Sequence, residues 1–210
     1  MADTFWVGKL GAQSVASISV SFPIVFLLIS IGGGITIAGT TLVAQYTGAG
    51  DRENTDKVAS QLLVFNFSLS LILSILGYLL NEYILILIGA PANIIEDAVG
   101  YLDIFFIGLP FMFLFFVFSA LMRGYGDTKT PMKMMLGSTL INIILDPFLI
   151  FGWGFFPQLG VMGAAYATVF SRATAGIIGI YILLKGNKGI SLSRKTLIPH
   201  LDMIKKIVKI

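Results

Sequence analysis

An all-α, polytopic membrane helix bundle is the fold class this sequence predicts, and three observations predict it. The 210 residues are 56% hydrophobic and only 12% charged, about half the charge of an average soluble domain. The charges are also segregated. No Asp, Glu, Lys or Arg lies between Lys9 and Asp51, between Lys57 and Glu82, between Asp103 and Arg123, or between Arg172 and Lys185, and Asp146 alone interrupts Lys133 to Arg172. Such runs match the ~20 apolar residues a helix needs to cross ~30 Å of hydrocarbon. Finally, the runs lack the polar face that a soluble helix carries.

The spans follow in order near residues 13–47, 57–80, 93–122, 131–152 and 161–185, together a transmembrane unit over 1–188. The first is long for one crossing, and Pro23 and the triple glycine at 32–34 are its expected kink points. Asn66 and Gln61 in the second can act as interhelical glue. Thr130 and Pro131 suit the N-cap and first position of the fourth. Glycines in "GGG" and "GAAYAT" suit close helix packing. Residues 189–210 are basic, with Leu201, Ile204, Ile207 and Val208 at helical spacing, which predicts a cytoplasmic amphipathic helix. His200, the lone histidine, reads as solvated.

Connections alternate in charge. "TGAGDRENTDK" (47–57), "RGYGDTKTPMK" (123–133) and the basic tail carry most Lys and Arg, including Lys188, Arg194 and Lys195. They are assigned to the cytoplasm. Glu82, Glu96, Asp97 and Asp103 fall outside, with Trp153, Phe155 and Phe156 at an outer aromatic belt. The turns "GAGD" (48–51) and "GYGD" (124–127) echo each other, each with a terminating glycine and a capping aspartate.

Composition also excludes functions. Without cysteine there are no disulfides, thiolate metal sites or cysteine nucleophiles. Met1 to Lys9 lacks the basic start and apolar stretch of a signal peptide. No P-loop, metal cluster or nucleophile–base constellation is present, so the chain does not read as an enzyme. The net charge of +3 implies no nucleic-acid partner, because in a membrane protein the location of Lys and Arg matters more than their sum.

Asp146, in "NIILDP", is the costly residue. It lies ~20 Å along its helix from Lys133 and seven residues before Trp153, in the outer third of the membrane. An acid at mid-membrane costs about 2.5–3.5 kcal/mol on insertion scales. It therefore faces a bundle interior or a wet cavity. Asn142 is one turn earlier on the same face, and the pair offers hard oxygen ligands for a proton or Na⁺. Pro147 removes a backbone donor and frees the Ile143 carbonyl. Two roles stay open for Asp146: handling an ion, or satisfying the proline-broken helix and pairing with Arg172. Arg172, alone in the last span, is the candidate partner of a structural ion pair. Neither Asp3 nor Thr168 stands out on composition.

Four stretches, in order, resemble the first lobe of multidrug and toxin extrusion (MATE) transporters: "FPIVFLLISIGGGITIAGTTLVAQYTGAGD", "ALMRGYGDTKTPMK", "NIILDPFLIFG" and "LGVMGAAYATVFSR". The opening "DTFWVGKLGAQSVASISVSFP" resembles the end of that family's first helix and the turn after it. The resemblance implies one lobe of a two-lobe, twelve-helix antiporter in the cell membrane, with a partial first helix here. It implies export of cationic or amphipathic drug-like compounds in exchange for Na⁺ or H⁺, without a resident cofactor. It also implies a coupling site of Asp3, Asn142, Asp146 and Thr168. The partners expected are the lipid bilayer and a C-terminal lobe. Two alternatives remain: a truncated, non-transporting membrane fragment, and a lipid-linked oligosaccharide flippase of the same superfamily.

Overall fold

The computed structural model describes residues 2–186, 189, 190, 192, 198 and 200–209. The expected basic residues Lys188, Arg194 and Lys195 lie outside them. A short helix α1 (Ala2–Val7) runs into a 3-10 turn at Gly8–Leu10. Then come α2 (Ala12–Gly48), α3 (Arg52–Leu87), α4 (Ala92–Tyr125), α5 (Lys129–Phe151), α6 (Gly160–Leu184) and α7 (Leu201–Lys209). Among the described residues no strand occurs, and α2 to α6 are each long and apolar enough to cross a membrane.

The ends of α3 differ most from the expected 57–80. Its start moves out to Arg52 because Asp51 caps it: the Asp51 carboxylate accepts from the Asn54 backbone N–H at 3.1 Å and from its amide at 2.6 Å. The helix also continues past Asn81 and Glu82 until Gly89 turns left-handed (φ 78°) and Pro91 follows. Asn81 is accommodated there by donating to Asp103 across the α3–α4 contact. Asp103 thus belongs to α4 and not to an external connection.

Matching turns close the C-terminal ends of α2 and α4. Gly50 (φ 72°) and Gly126 (φ 98°) take the left-handed conformation that only glycine adopts without strain. The next amides, of Asp51 and Asp127, donate five residues back to Tyr46 and Met122 at 2.9 and 2.8 Å. Each aspartate then caps the following helix. At α5 the cap is Asp127, whose carboxylate receives the Thr130 N–H at 2.9 Å and its hydroxyl at 2.5 Å, so Thr130 is the capped residue and not the N-cap.

The core forms around α4, which touches α2, α3, α5 and α6. Uncharged from Asp103 to Arg123, it buries Phe105, Phe106, Phe113, Phe118 and Leu121. The other spans turn apolar side chains outward, among them Phe22, Ile37, Leu79, Leu87 and Phe170, as lipid contact requires. Backbones approach at small residues. A Cβ at Gly176 would stand 2.6 Å from the Phe111 carbonyl, and one at Gly163, in "GAAYAT", would overlap the Leu149 carbonyl. In the triple glycine only Gly32 packs closely, against Phe113, while Gly33 and Gly34 face open space. Pro23 and Pro147 lie inside helices that remain α-helical through them.

The tail does not merely lie on the surface. Helix α7 packs on α2 and α3, and Ile207 is buried beside Leu42, Val58 and Leu62. Gln61, fully buried, donates to the Ile198 carbonyl and accepts the His200 backbone N–H, both at 2.7 Å. Gln61 is therefore a clasp on the tail, whereas the His200 side chain is exposed.

Candidate functional site

Three elements bring the expected residues together. Helix α5 carries Asn142 and Asp146 one turn apart, α6 carries Thr168, and α1 carries Asp3. The α5–α6 connection is short and the two helices pack closely at Gly163, which sets Thr168 opposite Asn142. Aromatic packing seats α1: Trp6 meets Phe151 and Trp153 edge-on, each at 6.1 Å, and Val7 is buried. Lys9 covers the Phe5 and Trp6 rings at 4.8 and 4.5 Å. Asp3 then lies one helical turn below this aromatic cluster.

A continuous hydrogen-bonded chain results. The Asn142 amide donates to Asp146 Oδ1 at 3.3 Å and to Thr168 Oγ1 at 3.2 Å. Thr168 in turn donates to Asp3 Oδ2 at 2.8 Å. Asp3 also lies within electrostatic reach of Asp146. Two carboxyls sharing one site cannot both hold a negative charge cheaply, so the arrangement favours a proton or cation between them. Asp146 is fully buried, and its Oδ2 has no hydrogen-bond partner. Together with the oxygens of Asp3, Thr168 and Asn142, it gives the site a hard-oxygen set suited to a small cation or a proton. Among the described residues no group of three or more acidic or histidine side chains could hold a divalent metal.

A cavity of about 370 Å³ opens beside this cluster. Asp3, Asn142, Thr168 and Arg172 line it, with Ser138 and Ser171 and with Phe115, Met135 and Ile143 as its apolar wall. Among the described residues the one ion pair is Lys57–Glu53, so Arg172 forms none, although the Asp3 charge reaches it. The reason is geometric. Asp3 is hydrogen-bonded by Thr168, and Arg172, a turn further along α6, lines the cavity.

Sequence reasoning missed Tyr101, buried on α4 and within electrostatic reach of both Asp3 and Asp146. A tyrosine in an aromatic-rich span carries no signal of its own. Asn66, expected as interhelical glue, is fully buried with neither amide atom hydrogen-bonded.

Comparison with known proteins points the same way. The MatE family model matches residues 1–148. The probable multidrug resistance protein YoeA of Bacillus subtilis is 39% identical over 96% of this chain and 44% of its own length. The FAD transporter of Shewanella oneidensis is 34% identical over 88% of this chain and 41% of its own length. A multidrug resistance MATE family transporter of the MOP superfamily, solved in an outward-facing conformation, superposes on all of this chain and 46% of its own at a TM-score of 0.91, with 28% identity. The chain thus spans under half the length of these relatives.

Proposed function

The chain belongs to the MatE family and is a multi-pass membrane protein, and from that premise we propose that it forms one lobe of a cation-coupled efflux antiporter. Its partner would be a second lobe, which the length of the relatives suggests. Asp146 is the coupling switch, with Asp3, Asn142 and Thr168 supplying further oxygen ligands. The transported ion is Na⁺ or H⁺, and the exported cargo is a drug-like amphipathic molecule in the plasma membrane.

One observation carries this reading: a fully buried Asp146 oxygen without a donor, in a site that also holds the Asp3 carboxyl within electrostatic reach. A proton taken up there satisfies that oxygen directly. Na⁺ would draw on Asp3, Asp146 and Thr168 oxygens, and on the Asn142 carbonyl once its amide turns over. Loading neutralises the acidic end of the adjoining cavity. A cationic group on the cargo then loses its partner, which couples ion entry to cargo release. Rocking one lobe against its repeat would expose the cavity to each side in turn. The flippase alternative needs several cations to match a pyrophosphate, and Arg172 is the one Lys or Arg among the residues lining the cavity. The two relatives' names, one for multidrug resistance and one for FAD, leave the cargo open.

Trp6 and Trp153 provide the readout. Titrating their fluorescence in the purified chain against pH, with and without NaCl, should give a saturable transition that Asp146→Asn removes. A transition moved by Na⁺ identifies Na⁺ as the ion, and one moved by pH alone identifies H⁺. No transition in either titration, or one that persists in Asp146→Asn, would overturn the assignment.

A further inference from the structure

We propose that Arg172 is a substrate-recognition residue whose guanidinium receives an oxyanion, a carboxylate or phosphoryl group, on the cargo. This rests on the cavity being the cargo site. It goes further in naming the chemical class of the cargo: amphipathic molecules carrying an anionic group, zwitterions above all.

Three features of the cavity carry the inference. Arg172 borders it without a hydrogen bond or ion pair among the described residues. A guanidinium offers five donors in a fixed fork, matched to paired oxygens, and one left unmatched inside a membrane is costly. The obvious internal partner, Asp3, reaches Arg172 only through its charge and forms no ion pair with it, while its carboxyl accepts from Thr168 at 2.8 Å. The walls complete the pattern. The lining carries both an acid, Asp3, and a base, Arg172, and Phe115, Met135 and Ile143 lie among the lining residues. The complement of that surface is an apolar body with a cationic group and an oxyanion. Charge-assisted bidentate contacts are the strong class of hydrogen bond, so the oxyanion should weigh heavily in selection. Ion loading at Asp146 and Asp3 removes the acidic pole and leaves Arg172 charged. The cationic end of a zwitterion is then released before its anionic end.

The test uses two fluorescent dyes that differ at one group, a rhodamine free acid (a zwitterion) and its methyl ester (a cation). Their binding to the full 210-residue chain is followed by anisotropy in detergent, with empty micelles as blank. The acid should bind about tenfold tighter than the ester, in keeping with a charged hydrogen-bonded pair. Arg172→Gln should bring the two within about twofold, and Arg172→Lys, which keeps the charge, should retain a preference for the acid. Equal affinities in the unaltered chain, or an undiminished preference in Arg172→Gln, would overturn the proposal while leaving the cavity as cargo site. If Arg172→Gln does not fold, Arg172→Lys decides, and a variant blind to the difference overturns it. Failure of both dyes to bind the unaltered chain would remove the cavity as cargo site, and this proposal with it.

Discussion

The hydroxyl of Thr168 donates to the carboxylate of Asp3 at 2.8 Å, joining residues 165 apart in sequence. It is the link that ties α1 to α6. Because Thr168 also accepts from Asn142, its single hydroxyl orients both the amide on α5 and the acid on α1. Bonds arranged head to tail in this way strengthen one another in a low dielectric.

Thr168→Val, which keeps the shape and loses the hydroxyl, should therefore act in two places. It removes the Thr168–Asp3 hydrogen bond, costing about 1–2 kcal/mol of stability, and it releases Asp3 from the site. Tryptophan-monitored ion titration should weaken about tenfold or more, whereas Thr168→Ser should stay close to the unaltered chain. A Thr168→Val protein that titrates normally would show that Asp3 is held by other contacts.

Gly163 is the close approach that lets α5 and α6 meet, since a Cβ there would overlap the Leu149 carbonyl and stand 2.8 Å from the Ile150 nitrogen. Backbone cannot move aside as a flexible side chain can. Gly163→Ala should cost about 1–3 kcal/mol by overpacking and should widen the gap between Asn142 and Thr168. Denaturant unfolding in detergent checks the first effect and the ion titration the second. Unchanged stability would mean that the helices can separate without penalty.

Much of this was legible in the sequence because membrane thickness and the cost of charge leave few choices. The uncharged runs specify five spans, and the spacing of Asn142 and Asp146 specifies a shared face. What escaped depends on contacts between distant segments. Nothing local marks Asp3, whose partners sit on α5 and α6; only the family resemblance singled it out. Helix α3 overran its expected end because Asn81, polar enough to read as a stop, finds Asp103 on α4. Arg172 was expected to pair since a lone arginine needs a partner, but the cavity beside it is invisible in sequence. The twin caps at Asp51 and Asp127 were legible as an echo, because left-handed glycine followed by aspartate is local chemistry.

Asp51, at the exposed end of α2, gives a pH prediction. Hydrogen bonds from the Asn54 side chain and backbone hold its pKa below the usual 3.8. A group depressed in the folded state contributes stability above its unfolded pKa, and that contribution is lost as pH falls through the folded value. The thermal midpoint should thus drop on acidification below about pH 4. Asp51→Asn keeps an N-cap and should remove this part of the acid dependence. Melting curves at several acidic pH values test it, and identical slopes for both proteins would refute it.

Asn66 is fully buried in α3 with both amide atoms unpartnered. A buried amide without hydrogen bonds costs about 1–3 kcal/mol, so Asn66→Leu, of similar volume, should stabilise the fold by that order. Denaturant unfolding should show a rise in midpoint. A fall would reveal that the amide is satisfied in the folded protein.

Gln61 holds the tail through its own side chain, giving one bond to Ile198 and taking one from His200, both at 2.7 Å. Neither backbone group belongs to a helix interior, so these two bonds supply the pairing that α7 lacks at its N-terminal approach. Helix α7 has a second anchor, Ile207, buried among α2 and α3 side chains. Gln61→Ala should consequently loosen the segment around Ile198 and His200 without detaching α7. Two net hydrogen bonds at about 1 kcal/mol each predict roughly thirtyfold faster hydrogen exchange at the His200 amide. Amides near Ile207 should keep their protection. Equal acceleration at both places would show that the clasp and the apolar anchor open together, making Gln61 the latch of the whole tail.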